Sequence, residues 1–136
     1  MISSLTNQGK LRFMIYEGAL NTTIFLNFLR RLIGEAGRKL FVIVDNLPVH
    51  RAHRVAAWVH DHADRIELCY LPSYAPEHNP DEFLNNDLKQ AMARRRPPRD
   101  TAALKSGLTS YMRSLQRCPA KVRAFFQAPT DRKSVV

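Results

Sequence analysis

Leu40-Phe41-Val42-Ile43-Val44-Asp45-Asn46 is an apolar run that stops abruptly on a carboxylate. Its β-branched and aromatic residues predict a strand buried on both faces, as in a sheet covered by helices. Asp45 and Asn46 then stand at its carboxyl end, the edge where open α/β sheets collect ligands and reactive groups. A second stretch completes the pattern: Tyr70-Leu71-Pro72-Ser73-Tyr74-Ala75-Pro76-Glu77-His78-Asn79-Pro80-Asp81-Glu82. Its three prolines exclude a regular element from Pro72 to Pro80, and Pro80 suits the first position of a helix, where its missing N–H is not needed. Asp81 and Glu82 fall in that helix's first turn. Two acid groups, each presented at the end of a regular element, are what metal-dependent phosphate chemistry requires. Read on their own, Asp45 is equally a turn residue, and Asp81 and Glu82 equally partners of a helix dipole.

Outward from this stretch the chain alternates elements. Residues 1–6 and 11–16 flank Asn7-Gln8-Gly9-Lys10 and predict a β-hairpin. Asn21 or Thr22 caps a helix whose apolar face is Ile24, Phe25, Phe28, Leu29 and Leu32, ended by Gly34 or Gly37. After the Leu40–Val44 strand, Val55, Ala56, Val59 and His60 trace a second helix face, with Trp58 nearby. Ile66, Leu68 and Tyr70 alternate as a short strand. Strands separated by a helix imply parallel pairing. Beyond Pro80, Phe83, Leu84, Leu88 and Met92 continue an apolar helix face. Asp100 or Thr101 caps another helix, buried along Leu104, Leu108, Tyr111, Met112 and Leu115, and Pro119 opens a last short one with Val122, Phe125 and Phe126.

The 136 residues make one domain, with 21 Lys and Arg against 12 Asp and Glu and a net charge of +9. That balance favours a polyanionic partner, nucleic acid before membrane. Arg94-Arg95-Arg96-Pro97-Pro98-Arg99 is the densest charge run, and its arginines are the candidate phosphate contacts. Cys69 and Cys118 lack C-x-x-C spacing and read as reduced thiols of a cytoplasmic chain. No stretch approaches the roughly 18 consecutive apolar residues of a membrane helix. Residues 129–136 form a polar, flexible tail.

Val44-Asp45-Asn46-Leu47-Pro48-Val49-His50 and the Tyr70–Glu82 stretch resemble the second and third catalytic motifs of DDE transposases. The resemblance is to bacterial insertion-sequence transposases of the mariner superfamily, which read Asp-Asn, three residues, His, then Tyr-Leu-Pro, a Ser-Pro loop, Asn-Pro and a Glu. The Glu in this sequence is Glu82, and 36 residues separate it from Asp45. Ala75 and His78 depart from the family's usual Ser and Leu. The resemblance implies an α/β, RNase H-like mixed sheet flanked by helices, formed by residues 1–128. It implies catalytic and metal-binding roles for Asp45 and Glu82 and two Mg2+ (or Mn2+) ions in the complete enzyme. Asn46, His50 and Asn79 become supporting residues, and Arg94, Arg95, Arg96 and Arg99 DNA contacts. The chemistry implied is DNA strand cleavage and strand transfer at transposon ends, by a cytoplasmic protein associated with the nucleoid when bound.

One part of that pattern is missing. The first Asp of the triad belongs on a first, central strand upstream of the hairpin, yet residues 1–44 contain no Asp and only Glu17 and Glu35 as carboxylates. The expectation is therefore a C-terminal catalytic-domain portion lacking its first strand and inactive alone. It self-associates or needs a missing N-terminal portion. The other readings are a non-catalytic DNA-binding transposase remnant, or an unrelated metal-dependent nuclease or phosphatase on a similar sheet. His50-x-x-His53 as a zinc site has no further ligand at matching spacing.

Overall fold

The computed structural model describes residues 1–45, 47–71 and 80–126. Its elements are β1 (Ile2–Leu5), β2 (Leu11–Met14), α1 (Thr22–Ala36), β3 (Leu40–Val44), a 3-10 turn (Pro48–Arg51), α2 (His53–Asp61), β4 (Ile66–Tyr70), α3 (Pro80–Ala93), α4 (Thr101–Gln116) and α5 (Pro119–Ala124). They fall into two compact units. One holds residues 1, 3–15 and 77–136, the other residues 2 and 16–76. The expected sheet is present as two two-stranded pieces, β1–β2 and β3–β4, with no strand joining them among the described residues. The expected tail at 129–136 lies outside the described residues.

In the 16–76 unit, α1 starts where Asn21 Oδ1 accepts from the Ile24 N–H at 2.9 Å and stops at Gly37, whose φ of 67° suits a residue without a Cβ. Its buried face is Phe25, Leu26, Phe28, Leu29, Leu32 and Ile33. β3 and β4 pair in parallel, Leu40 opposite Ile66 through Val44 opposite Tyr70. Arg65 Nη2 donates to the Ile33 carbonyl at 2.7 Å, tying the start of β4 to α1.

β3 departs from the expectation of burial on both faces. Phe41 and Ile43 are 65% and 66% exposed, while Leu40, Val42 and Val44 are half-buried. The register sets Glu67 beside Phe41 and Cys69 beside Ile43, so one whole face of the pair is open. Its cause is architectural. Burying that face takes a layer packed over it, which the described residues do not supply; separately, β4 pairs with one edge of β3 and no described strand with the other. Helix α2 is turned part-way from the expected face: Val55 is buried and Val59 half-buried, but Ala56 and His60 are exposed. The stripe runs instead through Trp58 and His62, whose rings stack at 4.2 Å while His62 Nδ1 lies 2.7 Å from the Trp58 carbonyl.

The other unit packs the hairpin against α3, α4 and α5 around Leu11, Leu84, Tyr111, Met112, Leu115 and Val122. Asp100 caps α4 by accepting from the Ala103 N–H at 2.7 Å. The hairpin turn needs Gly9: its φ is 93°, and a Cβ there would lie 2.7 Å from the Pro119 carbonyl oxygen. Gln116 Nε2 donates to the Leu11 carbonyl at 2.9 Å, fastening β2 to the end of α4. Leu104, expected in the buried face of α4, is 40% exposed, since the first turns of that helix extend past the core.

Candidate active site

Asp45 follows β3 directly, so the sheet backbone fixes where its carboxylate begins. The turn Pro48–Arg51 then folds His50 back onto it. His50 is buried, its ring tilted against Phe25 at 4.6 Å. Its Nδ1 lies 3.1 Å from the Asp45 carbonyl oxygen and 2.8 Å from Asp45 Oδ1. Both neighbours are acceptors, so Nδ1 carries a proton. That proton serves the carbonyl, and the approach to Oδ1 is a close electrostatic contact without hydrogen-bond alignment. Asp45 Oδ1 is thereby buried with no hydrogen-bond partner among the described residues, although the carboxylate as a whole is 44% exposed.

The backbone of this turn is held from β4. The Tyr70 hydroxyl donates to the His50 carbonyl at 2.9 Å, and the Arg51 guanidinium lies 4.2 Å over the Tyr70 ring. Asp45, His50, Arg51 and Tyr70 thus form one local assembly at the carboxyl edge of β3 and β4. Sequence reasoning picked Asp45 and His50 but missed the roles of Tyr70 and Arg51. The signal available was the position of Tyr70, last in an alternating strand, where a side chain reaches across the sheet end.

Glu82 sits in the first turn of α3, in the other unit, and is exposed with no hydrogen bond or ion pair among the described residues. Its neighbour Asp81 is occupied: Ser3 Oγ donates to Asp81 Oδ1 at 3.1 Å. The hairpin therefore holds one acid of the pair and leaves Glu82 available. Asn46 and Asn79 lie outside the described residues, as do the other residues of 72–79, Ala75 and His78 among them. Arg94, Arg95, Arg96 and Arg99 are all exposed in the segment joining α3 to α4.

The donor set suits a hard divalent cation. Carboxylate oxygens are what such ions prefer, and the Asp45 carboxylate is 44% exposed at the sheet edge. Among the described residues, no three His, Cys, Asp or Glu side chains converge as a complete metal cluster.

The sequence model of the family described as DDE superfamily endonuclease matches residues 1–105. The chain belongs to that family. Among solved structures, this chain is similar to the catalytic domain of Mos1 mariner transposase. The match has a TM-score of 0.63 and 16% identity, covering 89% of this chain and 67% of that one. The same Mos1 domain solved with raltegravir and Mg gives 0.63, 16%, 89% and 68%, and with raltegravir and Mn 0.62, 16%, 89% and 68%. At that identity the likeness is one of fold, a mixed α/β, RNase H-like domain matched over part of its length. No curated protein matches the chain. The expected family and fold class are thus both present, and among the described residues no helix is long and apolar enough to cross a membrane.

Proposed function

We propose that this chain is the portion of a bacterial insertion-sequence transposase that supplies the second and third catalytic carboxylates, Asp45 and Glu82. The observation that carries the reading is the Asp45 carboxylate at the end of β3, 44% exposed, with Oδ1 held beside His50 Nδ1 at 2.8 Å without an aligned hydrogen bond, the position that the family motif assigns to a metal ligand. A pair of divalent ions, Mg2+ or Mn2+, would activate an attacking oxygen and stabilise the leaving one at a DNA phosphate. Asp45 and Glu82 would hold those ions. His50 keeps the Asp45 carboxylate in place, and Tyr70 keeps His50 in place. Asn46 and Asn79 support the two motifs on either side. The arginines at 94, 95, 96 and 99 bind backbone phosphates, working wherever the chromosome is accessible.

The chain is inactive by itself under this proposal. Residues 1–44 contain no Asp, so the carboxylate common to both ions comes from another polypeptide segment. An apolar strand ending in Asp would pair with the free edge of β3. Without it the open edge favours self-association. A non-catalytic DNA-binding remnant remains the second reading, favoured by the charge alone.

Paramagnetic broadening tests the site directly. Mn2+ titrated into the isotopically labelled chain is expected to broaden amide signals around Asp45 and His50 first. Asp45→Asn is expected to remove that selectivity. Uniform broadening, unchanged by the substitution, would contradict the assignment.

A further inference from the structure

The charge of this chain is unevenly distributed. The unit of residues 1, 3–15 and 77–136 carries 14 of the 21 Lys and Arg but six of the 12 Asp and Glu, and so +8 of the net +9. Within it, residues 88–130 hold ten basic side chains and a single acid, Asp100. That acid is engaged as the N-cap of α4.

Helix geometry sorts these charges. Leu108, Tyr111, Met112 and Leu115 turn one side of α4 towards the core. At 100° per residue, Ser106, Ser110, Arg113 and Arg117 fall on the opposite side. All four are exposed, and neither arginine is in an ion pair among the described residues. The segment after α3 adds to this side. A Cβ on Gly107 would lie 3.2 Å from Met92 Cε and 3.7 Å from Arg95 Nη1, so the Arg95 guanidinium rests on α4 where Gly107 leaves room. Gly107, Ser110, Arg113 and Arg117 follow one another at intervals of three or four residues, a continuous stripe about 15 Å long at 1.5 Å per residue.

We infer that the outward face of α4, from Arg95 at Gly107 through Ser110 to Arg113 and Arg117, is a second phosphate-binding track for duplex DNA. This goes beyond the arginine run of 94–99 and rests on the reading of DNA as the partner. A solvated basic face on a monomeric protein ordinarily carries interspersed acids, and this one carries none from Thr101 through Thr130. Its length, measured along the duplex axis, matches the rise of about four phosphates of one strand at 3.4 Å each. The short side chain of Ser110 allows a phosphate to approach between the arginines and offers it a hydroxyl donor. The track runs along the backbone of the duplex and reads no base, so it binds without sequence preference.

Fluorescence anisotropy with a random-sequence duplex, in EDTA and over a range of salt concentrations, tests the track independently of metal binding. The double variant Arg113→Ala/Arg117→Ala is expected to lower the slope of log K against log salt by about 1.8, from about 0.9 per phosphate contact. Arg113→Lys/Arg117→Lys is expected to restore the slope, since charge and not geometry sets it. Arg30→Ala/Arg31→Ala removes the same charge from α1 and is expected to leave the slope unchanged. A slope unaffected by the α4 pair, or lowered equally by the α1 pair, would overturn the inference. Absence of any duplex binding by the unaltered chain would overturn both the track and the DNA-partner reading. Loss of the track alone leaves the Asp45 metal assay untouched.

Discussion

At the scale of single residues, the arrangement around His50 decides how Asp45 is presented. One ring nitrogen is committed to the Asp45 main chain, and the carbonyl of His50 is committed to Tyr70. Tyr70→Phe keeps the ring under Arg51 but removes the hydroxyl donor. It is expected to cost about 1 kcal/mol, the net worth of one hydrogen bond, measured by urea denaturation. Tyr111 makes a stronger contact. Its hydroxyl donates to Asp87 Oδ2, which Lys121 Nζ also approaches at 3.2 Å. Burial first, then the hydrogen bond and charge of Asp87, push the Tyr111 hydroxyl well above its ordinary value of 10.0. A raised folded-state pKa stabilises below the unfolded value, and the stabilisation is lost as pH rises towards the folded one. Tyr111→Phe is therefore expected to cost about 1–2 kcal/mol, with the cost constant from about pH 6 to 9 and shrinking above the ordinary pKa of 10.0. Denaturation curves across that range check it, and a cost that fades near neutrality would contradict it.

Among the elements, the hairpin and helix ends were legible because their chemistry is local. Asn21 and Asp100 cap their helices as such side chains do, Gly37 ends α1, and Pro80 opens α3. Burial of β3 was not legible. An unbroken apolar run states that a strand can be covered on both faces, and only the neighbouring elements determine whether it is. The rotation of α2 was hidden for a similar reason. Trp58 and His62 stack one turn apart, a polar–aromatic contact that an apolar pattern does not encode. Of the candidate site, Asp45 and His50 were singled out by the resemblance to the family's motifs, spacing alone leaving Asp45 equally a turn residue, whereas the clamp from Tyr70 depends on a parallel register fixed only in three dimensions. The hairpin turn gives the sharpest test at this scale. Gly9→Ala places a Cβ against Pro119 at a left-handed backbone position. It is expected to cost about 2 kcal/mol or more, seen as a lowered urea midpoint with unchanged slope.

For the whole molecule, the two units divide the expected work. The 16–76 unit holds Asp45, the other holds Glu82 and nearly all the net positive charge. Replacing Arg94, Arg95, Arg96 and Arg99 together by Ala is expected to reduce the salt slope of duplex binding by up to about 3.6, at about 0.9 per contact. Far-UV circular dichroism should be unchanged, since all four are exposed. A slope that survives the fourfold substitution would move the DNA contacts elsewhere. Under the proposed function, Asp45 and Glu82 are two members of an incomplete catalytic set. Plasmid nicking by the purified chain in Mg2+ and in Mn2+ tests it most directly. The account predicts no nicking by this chain alone, with metal-selective broadening still present at Asp45. Metal-dependent nicking that disappears in Glu82→Gln would contradict it, because the chain would then possess every carboxylate it needs.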